Sequence, residues 1–110
     1  MSELSDKQCV PCEGGIDPLT QEVAHALLKK ISAEWKISDD GKSIQRKYQF
    51  KNFYRTMSFV NAVAHIANSE DHHPDLEIGF NYCRIKYTTH AISGLSDNDF
   101  ICAAKIDLLH

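Results

Sequence analysis

The run Asp71-His72-His73-Pro74-Asp75 sets two adjacent imidazoles beside carboxylates and a proline, and a third imidazole, His90, follows downstream. His73 stands eight residues before Asn81 and His90 eight residues after Tyr82. With Asn81-Tyr82 as the tip of a two-residue hairpin, Pro74 falls opposite Thr89 and the three histidines gather at one end of the ladder. Imidazole titrates near neutrality, so neighbouring histidines can divide proton donation and acceptance without large pKa shifts, which suits an elimination. Asp71 can orient one ring and fix its tautomer, while Pro74 holds His73 extended, so that the two adjacent rings point in different directions.

Other readings of the same residues are blander or different. A His-His pair after a helix can be a polar loop in which His72 binds the last helical carbonyls. Three imidazoles and a water can also make a hydrolytic zinc centre. Adjacent histidines with diverging rings seldom share one ion, however, and the H-x-H or H-x-x-x-H spacing that aligns two ligands is missing, so no metal is expected.

These side chains need a scaffold. Residues 1–18, with Pro11, Gly14, Gly15 and Pro18, read as an arm that drapes over the domain or stays mobile, ahead of a single domain over 19–110. Thr20 caps a first helix with the stripe Ala24, Leu27, Leu28 and Ile31. Asp40-Gly41 is a two-residue turn signal, followed by a strand alternating Ile44, Arg46, Tyr48 and Phe50 against Ser43, Gln45, Lys47 and Gln49. Arg46, the odd member of the packing face, is expected to snorkel at the sheet margin rather than to pair with a carboxylate.

Asn52 caps a second helix running to about Ser69, with Phe53, Met57, Val60, Ala64 and Ala67 along one side and Phe59, Val63 and Ile66 widening it. Leu76 to Phe80 and Cys83 to Thr89 form a second hairpin, whose Arg84, Lys86 and Thr88 should be solvated. Ser96-Asp97-Asn98-Asp99 resembles a capping box and opens a last helix with Phe100, Ile101, Ala104 and Leu108 inward. The order helix, two strands, helix, two strands, helix predicts an α+β domain: a four-stranded antiparallel sheet with three helices on one face.

A chain of 110 residues suits one domain with its own core. The formal charge of −3 gives no global attraction to nucleic acid or anionic membrane. No apolar run nears the roughly 20 residues that span a bilayer, and the first residues lack a signal-peptide pattern, so a cytoplasmic setting is expected. Of four cysteines, Cys9 and Cys12 form one C-x-x-C without a second pair, which reads as reduced thiols in a partly ordered arm.

The chain resembles the pterin-4a-carbinolamine dehydratases. The resemblance rests on Asp71-His72-His73-Pro74, Phe80, Thr88-Thr89-His90 and Gly94-Leu95-Ser96 with Asp99, in the family's spacing. Cys9-Val10-Pro11-Cys12-Glu13-Gly14-Gly15 and Trp35 also look like this family, especially its bacterial and plant members. The resemblance implies the same α+β fold, assembly into homodimers or homotetramers, and no metal or tightly bound cofactor. It implies 4a-hydroxytetrahydrobiopterin or a related pterin as substrate and quinonoid dihydropterin as product. That would be a hydro-lyase recycling tetrahydrobiopterin behind phenylalanine hydroxylase.

It also implies His72, His73 and His90 as the catalytic set, with His72 and His90 moving protons and His73 binding the pterin. Asp71, Thr88, Thr89 and Ala91 would line the substrate, and Asp99 and Pro74 would support the site. Asp99 is alternatively a capping carboxylate that supports His90 only indirectly. Many members carry Glu four residues before the first histidine, where this chain has Asn68, so no acid–base role extends there. The resemblance leaves a second role open, since some animal members act as dimerisation cofactors of a homeodomain transcription factor.

Overall fold

The computed structural model of the chain describes residues 3–11 and 14–110. A 3-10 turn over Glu3–Asp6 precedes α1 (Gln21–Leu28), β1 (Lys36–Ile37), β2 (Ile44–Gln49), α2 (Phe53–Glu70), β3 (Asp75–Ile78), β4 (Tyr82–Tyr87) and α3 (Asp97–Asp107). A second 3-10 turn, His90–Ile92, links β4 to α3. The four strands make one antiparallel sheet in the order β1-β2-β4-β3, and with the three helices this is the expected α+β architecture. No helix among the described residues is long and apolar enough to cross a membrane.

Alternation decides the two faces of the sheet. Ile44, Tyr48, Cys83, Ile85 and Tyr87 are buried, while Gln45, Lys47, Gln49 and Lys86 are exposed. Ser43, expected on the wet side, is buried, and its N–H donates to Ser38 Oγ at 3.1 Å. The first hairpin is centred on Asp40-Gly41 as expected, but its loop is longer than two residues: Ser38 N donates to Ser43 O at 2.9 Å across residues 39–42. Gly41 has φ +72, which a side-chain-bearing residue would adopt only at a cost.

The caps fall where the sequence put them. Thr20 Oγ1 accepts from Val23 N, Asn52 Oδ1 from Arg55 N, and Asp99 Oδ2 from Ser96 N at 3.0 Å. The buried stripe of α2 is Thr56, Phe59, Val60, Val63 and Ala67, whereas Phe53 and Ala64, assigned inward, are exposed. Leu108 lies past the last turn of α3 and is also exposed. Phe100-Ile101-Cys102-Ala103-Ala104 is buried on all sides, the signature of a helix enclosed by its neighbours. Part of that enclosure comes from the arm: Leu4 and Ser5 are buried, and Lys105 Nζ donates to Ser5 O at 3.0 Å.

Arg46 does not snorkel. Its Nη1 meets Asp107 Oδ1 at 2.9 Å and its guanidinium lies 4.0 Å from the Tyr48 ring centroid. The same carboxylate oxygen accepts from Trp35 Nε1 at 2.8 Å and from Tyr48 Oη at 2.6 Å, and Oδ2 accepts from Ser32 N at 3.1 Å. Asp107 thus ties α3 to β2 and to the segment before β1. Asp107→Ala leaves four donors without their acceptor and should destabilise the domain by about 3 kcal/mol in urea unfolding. A loss too small to measure would mean that these donors find other partners.

Candidate active site

The carboxyl end of α2 turns sharply. Asp71 takes the left-handed conformation at φ 50, its N–H reaches Asn68 O, and His72 N–H bonds back to Ala67 O at 3.1 Å. This closes the last helical carbonyls by a backbone route, so the His72 side chain is not used for capping. Pro74 then sends the chain into β3.

The hairpin that follows is two residues out of the expected register. Gly79 N donates to Tyr82 O, so the tip is Phe80-Asn81 rather than Asn81-Tyr82, and Asp75 pairs with Lys86. The β3–β4 ladder ends at Lys86, and Thr89 pairs with Gly94 instead of facing Pro74. An even shift keeps every side chain on its predicted face, which is why the histidines still converge.

Thr89 and Gly94 close a small loop through Thr89 N–H to Gly94 O at 2.9 Å, and this loop carries the 3-10 turn that presents His90 and Ala91. Gly94 is required by close approach: a Cβ there would come within 2.7 Å of Pro18. One cavity of about 500 Å³ results, lined by His72, His73 and His90 together with Asp71, Thr88 and Ala91. Thr89 borders it but is 3% exposed, with its hydroxyl turned to Asp99 Oδ2 at 2.8 Å.

The group that orients a ring is Asp99, not Asp71. His72 Nε2 lies 2.7 Å from Asp99 Oδ1, and the Asp99 carboxylate is fully buried. Asp99 therefore caps α3 and braces His72 at once, and it is His72 rather than His90 that it supports. The His72 ring stacks on Tyr87 at 5.2 Å and 9° between planes, and Tyr87 Oη donates to His72 O at 3.1 Å. With Nε2–H given to Asp99, Nδ1 is the nitrogen left for a substrate.

Burial disfavours the His72 imidazolium, but the hydrogen bond and negative charge of Asp99 together outweigh it and hold the pKa above the usual histidine value. Such a group stabilises the fold fully below its unfolded pKa of about 6.5 and loses that contribution as pH rises through the higher folded value. Wild type and His72→Gln should accordingly differ most in thermal midpoint below about pH 6.5 and converge as the pH rises above it. A gap that widens with pH would reverse the sign.

His73 is exposed, and its Nε2 lies 3.0 Å from Asn68 Oδ1, so the neutral amide takes the place beside this ring. His90 is exposed and lines the same cavity, and Thr88 Oγ1 is tied to Lys42 O at 2.6 Å. Five wall residues escaped sequence reasoning: Glu70, Asn98, and Cys9, Val10 and Pro11 of the arm. Only the Cys9-Val10-Pro11 run within a family-like motif hinted at any of them. The expectation for the Cys9/Cys12 pair falls partly outside the described residues, because Cys12 is not among them. Among the described residues no group of three or more His, Cys, Asp or Glu side chains is disposed to hold a metal ion.

The family profile for pterin 4 alpha carbinolamine dehydratase matches residues 17–109, which includes every histidine of the cavity. The chain belongs to the pterin 4 alpha carbinolamine dehydratase family. Relatives in this dehydratase family include a protein of Nitrosomonas eutropha, 56% identical over 97% of this chain and 93% of its own. Another, from Legionella pneumophila strain Corby, is 55% identical over 98% of this chain and 96% of its own. Both carry pterin-4-alpha-carbinolamine dehydratase as a provisional designation. Among solved structures, a transcriptional coactivator/pterin dehydratase from Brucella melitensis superposes with TM-score 0.80 at 26% identity, over 84% of this chain and 98% of that one. A pterin dehydratase-like RuBisCO assembly factor of the alpha-carboxysome shares the fold, with TM-score 0.61 at 19% identity over 69% of this chain and 88% of its own.

Proposed function

We propose that this dehydratase-family chain eliminates water from 4a-hydroxytetrahydrobiopterin or a close 4a-hydroxytetrahydropterin to give quinonoid dihydropterin. The observation that carries the reading is the convergence of three imidazoles on one cavity, one of them braced by a buried carboxylate. In the reaction the C4a–O bond breaks, the leaving hydroxyl gains a proton, N5 loses one, and the C4a=N5 bond forms. Imidazoles lining one cavity can serve both transfers.

His72, with its raised pKa, is suited to donate from Nδ1 to the departing hydroxyl, and His90, which lines the same cavity, to accept from N5. His73 binds the pterin head and can share the donor role. Asp71, Thr88, Thr89 and Ala91 shape the floor and walls, and the pterin itself is the substrate, with no further cofactor called for. The same reading makes the protein a cytoplasmic recycling enzyme coupled to phenylalanine hydroxylase. It also assigns the chain a homo-oligomeric state: Leu76 and Ile78 of the edge strand β3 and the stacked Phe53 and Phe80 leave apolar surface exposed.

The test is loss of the 4a-hydroxy intermediate in a phenylalanine hydroxylase reaction, followed with and without this protein and a chelator. Acceleration that survives the chelator is expected. No acceleration would defeat the enzyme reading, and chelator-sensitive acceleration would replace histidine catalysis by a metal centre. The coactivator named for the Brucella structure supports a second reading, a binding module for a transcription regulator, which predicts an intact fold without turnover.

A further inference from the structure

The family match begins at residue 17, yet the cavity takes part of its wall from residues 9–11. Specific bonds place that piece of arm. Cys9 N donates to Glu70 Oε1 at 2.7 Å, and the Asn98 side chain brackets Val10, accepting from its N–H at 3.1 Å and donating to its carbonyl at 2.7 Å. Beside these bonds the sulfurs of Cys9 and Cys102 lie 3.5 Å apart, across 93 residues of sequence. Closing that gap by about 1.5 Å gives a disulfide bond length.

The two thiols are not equivalent. The hydrogen bond between the two sulfurs lowers the Cys102 pKa and raises that of Cys9. Burial works against the lowering at Cys102, while the Tyr87 hydroxyl and the His72 charge add to it. Cys102 follows Asp99 by one turn of α3, so the favoured thiolate sits next to the His72–Asp99 pair. Cys9 is only half-buried and faces the cavity, which gives a small oxidant a route to the pair. Cys83 is buried elsewhere in the sheet, with its pKa pushed up to about 11 by burial.

We propose that Cys9 and Cys102 are a reversible disulfide site whose closure fixes the arm as a wall of the histidine-lined cavity. The co-reactant is a hydroperoxide. The cavity-facing Cys9 sulfur attacks one peroxide oxygen, the O–O bond breaks, and the hydroxide leaving group takes up the Cys9 proton as water. The Cys102 sulfur then displaces the sulfenic oxygen from Cys9, which departs as a second water with the Cys102 proton. Each sulfur is oxidised by one electron and hydrogen peroxide is reduced to two waters. A dithiol reductant reverses the link. The proposal holds whatever the cavity binds.

The full-length protein, treated with hydrogen peroxide, alkylated and mapped without reduction, should yield a Cys9–Cys102 linked peptide two hydrogens lighter than the dithiol. Dithiothreitol should remove it, Cys102→Ser should abolish it, and Cys12→Ser should retain it. Hydrogen exchange at the Cys9 and Val10 amides should slow by about tenfold in the oxidised protein. A Cys9–Cys12 link in its place, sulfinic acid without a link, or four unreacted thiols would overturn the site. Unchanged exchange with the link formed would overturn the fixing of the arm.

Discussion

His72→Ala should lower kcat for carbinolamine dehydration by about 10²- to 10⁴-fold, the range for losing a positioned proton donor. The ring is the one with a buried carboxylate partner, and its raised pKa carries the donor form to higher pH than in a free imidazole. Because alanine also leaves Asp99 Oδ1 without its partner, His72→Gln is the cleaner variant: an amide can still meet Asp99 Oδ1 but cannot titrate. The two variants should lose similar activity while the alanine loses more stability. His90→Ala offers the contrast, since His90 is exposed, and its stability should stay within about 0.5 kcal/mol of wild type while turnover falls. Full activity in the His90 variant would remove that residue from the mechanism, and full activity in both His72 variants would remove the donor.

Asp99→Ala should be the most destabilising single change at the site, at about 5 kcal/mol by denaturant unfolding. It deletes a fully buried carboxylate that holds His72 Nε2, Thr89 Oγ1 and Ser96 N together. Asp99→Asn separates charge from shape. The amide oxygen can still accept from His72, but the negative charge that offset burial is gone, so burial wins and the His72 pKa falls. The donor form of His72 is then lost at lower pH. The limb of the pH–rate profile on which activity declines with rising pH should move to lower pH, and kcat at neutrality should drop by at least about tenfold. A profile that stays in place would mean that Asp99 only caps α3.

Much of this was readable in the sequence, because short-range rules govern it. The caps at Thr20, Asn52 and Ser96 and the alternation along β2 and β4 appear as the residue types announced them. Counting along the hairpin brought His72, His73 and His90 to one place even though the register was two residues out, since a period of two hides an even slip.

The long-range partnerships were not readable. Asp99 lies 27 residues from His72, and its capping role fully accounts for its type, so nothing local marks the second bond. Arg46 and Asp107, 61 residues apart, likewise meet only once α3 has docked on the sheet. The arm has no periodic apolar pattern, and its hold on Glu70 and Asn98 runs through single backbone groups, which residue type does not encode.

The most direct test is a crystal structure of the protein with 7,8-dihydrobiopterin, read for the position of the bicyclic head. The account predicts the head between the His72-His73 segment and the Thr88–Ala91 loop. Ring nitrogens of His72 and His90 should lie within hydrogen-bond reach, about 3 Å, of the atoms that flank C4a. A pterin seated instead in the cleft between Phe50 and Tyr54, or one whose C4a edge faces away from both imidazoles, would contradict it.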